Sequence, residues 1–213
     1  MQFEIENRKF EFTEASSLEK ESRATTIKIA ACLLVAIFAQ TTLTHLLPDS
    51  LGRWIGHIDW LLLVIVYVCL QRDPVRALLT AVFAGLAFDT FSRAATVGVA
   101  QAIGVSGFAY VLAAYVADRI VSVIVADNML VRFATVASAS VINTLTRYAF
   151  YKLLKFELPV LVGGQGFAAA IIFGLVTNLI VSVLLYFALD RFFDKGSALR
   201  VRRSEARRIK ARF

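Results

Sequence analysis

The chain has 213 residues, a net charge of +7 and 58 % hydrophobic side chains, with a mean hydropathy of +0.69. No soluble domain of this length covers that much apolar surface, so lipid must be the solvent for most of it. Long unbroken apolar runs with only three prolines exclude barrel strands, which alternate between two faces, and the expected fold class is an all-α polytopic membrane protein.

Residues 1–26 form a first tail carrying Glu4, Glu6, Glu11, Glu14, Glu19 and Glu21, with none of the apolar core of a cleavable signal peptide. Apolar and polar residues alternate from Phe3 to Phe12 around Asn7-Arg8, which reads as a disordered leader, with a small hairpin as the alternative. A transmembrane domain is expected over residues 27–191. Its first span is predicted at Ile27–Leu47, closed by Pro48-Asp49. The second, Ile58–Leu70, is the shortest and needs Trp54 and Ile55 at one end and Gln71 at the other. Asp73-Pro74 makes a tight turn and places Pro74 where its missing N–H is harmless, at the start of a third span that runs to Phe91. Val97–Ile120, Met129–Tyr151 and Gly166–Leu189 complete six spans, or five if the second only dips in, with Leu158-Pro159 and Gly163-Gly164 marking the loop before the last.

Basic residues orient this layout. With both termini cytoplasmic, Arg53, Arg93, Arg147, Lys152 and Lys155 fall on the outer side, and the remaining Lys and Arg fall inside, as the positive-inside rule requires. The basic tail 192–213 places Leu199, Ala206, Ile209 and Phe213 on one helical face, which reads either as an interfacial helix held to anionic lipid or as a solvated topology signal. With one aromatic, it is no nucleic-acid footprint.

Two carboxylates stand out. Asp89 ends a greasy run about 22 Å from Pro74 at 1.5 Å per residue. Asp59 opens the antiparallel neighbouring span, so both are expected in one outer layer together with Arg53, Arg93, Arg147, His45 and His57. A carboxylate at mid-membrane costs about 2.5–3.5 kcal/mol, so pairing that locks helices together is the leading reading, ahead of a contact surface or a substrate site. Ala77, Ala81 and Gly85 recur every four residues before Asp89, as do Ala109, Ala113 and Ala117 on the next helix. Such faces let backbones approach in lipid, within the chain or against a foreign helix. Gln40, Gln101, Asn143 and Asn178 either hydrogen-bond helix to helix or line an outward pocket. Cys32 and Cys69 lie within apolar runs and read as small buried hydrophobes. No metal-ligand motif, cofactor motif or nucleophile motif is present, so no enzyme is expected.

The runs Asp59-Trp-Leu-Leu-Leu-Val-Ile-Val-Tyr67, Arg72-Asp-Pro-Val-Arg76, Ala84-Gly-Leu-Ala-Phe-Asp89 and Tyr110-Val-Leu-Ala-Ala-Tyr115 resemble the rod shape-determining MreD family over residues 58–120. Ile58 stands where that family usually has proline, and Ser92-Arg93-Ala94-Ala95 replaces its glycine-containing loop. The resemblance implies a non-catalytic scaffold or regulatory component of the bacterial cell-elongation machinery in the inner membrane. It would pair with an MreC-like single-span protein, near MreB filaments, RodA and its transpeptidase partner, with Asp59 and Asp89 as motif carboxylates. The family fold is similar to that of energy-coupling-factor vitamin transporter substrate-binding subunits, which supply the alternative function. Their first helix presents alanines four apart, a spacing that Ala30, Ala31, Ala36 and Ala39 do not make.

Overall fold

A computed structural model describes residues 22–43, 46, 56–95, 104–124, 129–154 and 167–193. The described residues form helices α1 (Ser22–Leu43, with a π-helical end at Ala39–Leu43), α2 (Trp60–Leu70), α3 (Pro74–Ala95), α4 (Val105–Val123), α5 (Met129–Leu153) and α6 (Phe167–Phe193). Five of them are long and apolar enough to cross a membrane, which makes the chain a polytopic helical membrane protein. The tails, the loops after α1 and α5, Gln101 and the side chain of Arg93 lie outside the described residues.

The sequence predicts its shortest span at Ile58–Leu70, and the structure forms a helix there over Trp60–Leu70. α2 has eleven residues, about 16 Å of helix and roughly half of a hydrocarbon core. Every residue from Leu61 to Cys69 is buried, and α2 packs against α3, α4 and α5. A helix apolar on every face belongs inside a bundle. α2 is therefore the core that the longer helices enclose. α4 starts at Val105, later than the predicted Val97, because Gly104 adopts a left-handed φ of 100° immediately before it.

The chain divides into two compact units. The larger, Cys32–Tyr186, contains α2 to α5 entire. Within the smaller, the amine of Lys28 donates to the Phe192 carbonyl at 3.0 Å and lies 5.2 and 5.5 Å from the ring centres of Phe192 and Phe193. A cation at a helix C-terminus answers both the unpaired carbonyls and the negative end of the dipole.

In the larger unit, the α2–α3 turn closes with Gln71 N–H donating to the Val68 carbonyl and Arg72 N–H to the Cys69 carbonyl. Asp73 then accepts from Arg76 N–H at 3.2 Å and pairs with its guanidinium at 3.1 Å, capping α3. Ala77, Ala81 and Ala84 of α3 and Ala109, Ala113 and Ala117 of α4 are all buried. Small residues on both helices let α3 and α4 meet backbone to backbone at Gly85 and Gly107. The two glycines are not equivalent. A Cβ at Gly85 would run into the Gly107 backbone, whereas one at Gly107 meets its nearest atoms at an ordinary 4.0 Å. Gly85→Ala is therefore expected to destabilise the protein by about 1–3 kcal/mol, the usual range for overpacking, and Gly107→Ala to leave it near wild type. Thermal melts in detergent check the pair, and equal melts would contradict this packing.

Candidate functional site

The polar residues of the larger unit gather at the start of α2. A helix leaves its first N–H groups without intrahelical acceptors, and here they face other helices instead of water. Three side chains supply acceptors. Asp59 Oδ1 takes Leu62 N–H at 3.0 Å as an N-cap, Gln40 Oε1 from α1 takes Trp60 N–H at 2.9 Å, and Asn178 Oδ1 from α6 takes Asp59 N–H at 2.9 Å. Gln40 lies in the π-helical end of α1, where the Thr41 hydroxyl bonds the Ile37 carbonyl at 2.8 Å and so helps satisfy a locally altered backbone ladder. Asn178 is itself held, donating to Ser140 Oγ of α5 at 3.1 Å.

The cap is an ionisable carboxylate and needs its own partners. Asp59 Oδ1 also accepts from the Tyr110 hydroxyl at 2.7 Å, and Oδ2 accepts from Asn143 Nδ2 at 2.9 Å. Arg147 Nη2 approaches Oδ2 at 3.5 Å. Asn143 and Arg147 are four apart on α5, so one helical face delivers both the amide and the cation. The guanidinium sits 4.7 Å from the ring centre of Tyr110 and 4.9 Å from that of Phe88. Among the described residues its Nε and Nη2 are buried without a hydrogen-bond acceptor, and Asn143 Oδ1 and Trp60 Nε1 are buried without a partner. Arg147 is thus held by charge and by two aromatic faces, not by a bidentate clasp.

Asp89 does a separate job. Buried at 4 % exposure, its Oδ2 accepts Gly104 N–H at 2.7 Å immediately before α4, whose own N-cap residue offers no side chain. Asp59 and Asp89 thus cap at two separate sites, with Arg147 paired to Asp59. His57 stacks on Phe173 with ring centres 6.0 Å apart, and its carbonyl accepts from the Thr177 hydroxyl at 3.4 Å. Burial lowers the pKa of its imidazole and so favours the neutral ring. Arg53 and His45 lie outside the described residues.

Gln40, Asn143 and Asn178, the amides that would line a pocket, are all directed at Asp59 and Trp60. Ser140 joins the site without having been singled out from the sequence, and Tyr110 and Phe88, which lie in the quoted family runs, join it without having been assigned a role there. The signal for Tyr110 was available, as a tyrosine set among alanines on a small-residue helix. Chemically the arrangement ties α1, α2, α4, α5 and α6 to one carboxylate and its adjoining N–H groups. Among the described residues, no group of three or more His, Cys, Asp or Glu side chains is placed to hold a metal ion.

This is a multi-pass helical membrane protein organised around a short, fully enclosed helix whose N-terminus carries a paired carboxylate. Residues 26–195 match the family described as rod shape-determining protein MreD, and the chain belongs to that family. Membership brings involvement in rod-shape determination. No curated protein and no solved structure matches the chain.

Removing one member of a buried ion pair strands the other at about 3–5 kcal/mol, whereas removing both together costs far less. Asp59→Asn preserves a capping oxygen but leaves Arg147 uncompensated, and should lower stability strongly. Adding Arg147→Met should restore a large part of that loss. A double variant no more stable than Asp59→Asn alone, in detergent melts, would contradict the coupling. Among the described residues Asp89 accepts one N–H, from Gly104, so Asp89→Ala should cost about 1–2 kcal/mol and Asp89→Asn less. Identical melts for the two Asp89 variants would argue against the cap.

Proposed function

We propose that the protein is a non-catalytic scaffold or regulatory component of the bacterial cell-elongation complex, seated in the inner membrane with six membrane segments and both termini cytoplasmic. Its direct partner is an MreC-like single-span protein, with MreB filaments, RodA and its transpeptidase reached directly or through that partner. One observation carries this reading: Asp59, the most heavily coordinated polar side chain among the described residues, directs its acceptor capacity to Leu62 N–H, Tyr110, Asn143 and Arg147 of its own bundle. A carboxylate engaged in that way braces helices. Family membership supports the cellular setting. The vitamin-binding alternative draws no support from Gln40, Asn143 and Asn178, since each already serves the start of α2. Positions Asp59, Asp89, Arg93, Arg147, Ala77, Ala81 and Gly85 serve the bundle's integrity and, through it, the surface offered to the partner. The basic tail 192–213 adds attraction to anionic lipid.

Affinity purification of the tagged full-length protein from native membranes, in mild detergent, is expected to recover an MreC-like single-span protein near stoichiometry. Recovery of the protein alone under conditions that keep other elongation complexes intact would overturn the scaffold reading.

A further inference from the structure

The smaller unit is held at one joint. Lys28 lies about 9 Å along α1 from Ser22, and its amine donates at 3.0 Å to the carbonyl of Phe192, next to the last residue of α6. The start of α1 and the end of α6 are therefore neighbours. Residues 1–21 and 194–213 leave the unit from adjacent points, on the same side of the membrane whichever side that is. The joint itself is basic: Arg23 and Arg191 are exposed there, and Asp190 is the one acid among the unit's described residues.

Opposite charges flank that joint. Residues 1–21 carry Glu4, Glu6, Glu11, Glu14, Glu19 and Glu21 against Arg8, Lys9 and Lys20, a net charge of −3. Residues 194–213 carry eight basic residues against Asp194 and Glu205, a net charge of +6. Helix dipoles account for the nearest of these charges only, because their effect fades within the first or last turn. Glu4, Glu6, Glu11 and Glu14 lie too far before Ser22 for that. Two oppositely charged stretches tethered at one joint meet at an effective concentration on the order of millimolar. Both lie almost wholly outside the residues that match the family, so membership assigns them no role.

We propose that the acidic stretch 1–21 docks by charge on the basic stretch 194–213 of the same chain, beside the Lys28–Phe192 joint, and that an anionic lipid surface competes for the same basic residues. The −3 of one stretch offsets half of the +6 of the other, and so weakens the pull of the last tail toward lipid. A membrane poor in anionic lipid leaves the tails paired. One rich in it draws the basic tail to its surface and repels the acidic one. The pairing does not depend on which partner the protein has; the competition rests on the proposed attraction of tail 192–213 to anionic lipid.

The test uses the full chain, a single copy per phosphatidylcholine nanodisc, and a water-soluble carbodiimide, which joins a carboxylate to an amine in contact with it. Mass spectrometry is expected to find Lys195 or Lys210 joined to Glu4, Glu6, Glu11 or Glu14. Raising the salt from about 0.1 M to about 1 M shortens the screening length from about 10 Å to about 3 Å and should lower the yield several-fold. Replacing half of the lipid with phosphatidylglycerol should lower it as much. No such product in phosphatidylcholine, or a yield indifferent to salt, would overturn the pairing. A yield indifferent to phosphatidylglycerol would overturn the competition with lipid and leave the partner reading untouched. With Glu4→Gln, Glu6→Gln, Glu11→Gln and Glu14→Gln combined, trypsin should cleave the last tail several-fold faster than in wild type in phosphatidylcholine. Equal cleavage rates would also refute the pairing.

Discussion

A helix that begins among other helices has N–H groups that water cannot reach, and each unpaired one costs about as much as a lost hydrogen bond. α2 begins in that way, and much of the rest follows. Asp59 caps Leu62, Gln40 serves Trp60, and Asn178 serves Asp59 itself. The carboxylate chosen as cap then needs compensation, which Arg147, Asn143 and Tyr110 provide. Arg147 in turn needs surroundings that tolerate a cation, and the faces of Tyr110 and Phe88 supply them. Each polar residue is explained by the one before it. The chain of requirements ends at aromatic rings, which is where lipid-compatible material takes over.

Much of this was legible in the sequence, and the exceptions have physical causes. The long spans follow from hydropathy, and the α2–α3 turn follows from Asp73-Pro74. The enclosure of α2 is not legible, because hydropathy measures distaste for water and does not distinguish contact with lipid from contact with protein. Leu61 to Cys69 avoid water by burial inside the bundle. The start of α4 at Val105 is set by the backbone of Gly104 and the reach of Asp89, neither of which leaves a periodic trace. The pairing of Asp59 with Arg147 joins residues far apart in sequence, and the i, i+4 spacing of Asn143 and Arg147 says that they act together without naming their target.

Tight packing and polar bracing divide the bundle between them. α3 and α4 approach closely at Gly85 and Gly107, where there is no side chain to hold them but also none to keep them apart. Contact of that kind gains dispersion energy along its length but does little to fix register, because alanines and glycines slide past one another easily. The Asp89–Gly104 hydrogen bond and the Tyr110–Asp59 hydrogen bond fix the axial position of α4 relative to α3 and α2. Directional bonds set the register, and close backbone contact supplies the area.

The presence of two carboxylates, where one cluster would have seemed sufficient, follows from helix direction. Tyr110 lies near the start of α4 and reaches the start of α2, while Cys69 near the end of α2 reaches Ala114 further along α4, so the two helices run parallel. Their N-termini lie toward the same end of the bundle, and each presents unpaired N–H groups and the positive end of a helix dipole. One side chain cannot cap two helices. Asp59 answers α2 and Asp89 answers the turn into α4, each drawing on backbone N–H groups that the other does not use. Two acids can then share one end of an apolar bundle without forming a reactive dyad: each is compensated by its own helix, and Asp59 also by Arg147. What the sequence presents as a matched pair is the signature of two parallel helix starts.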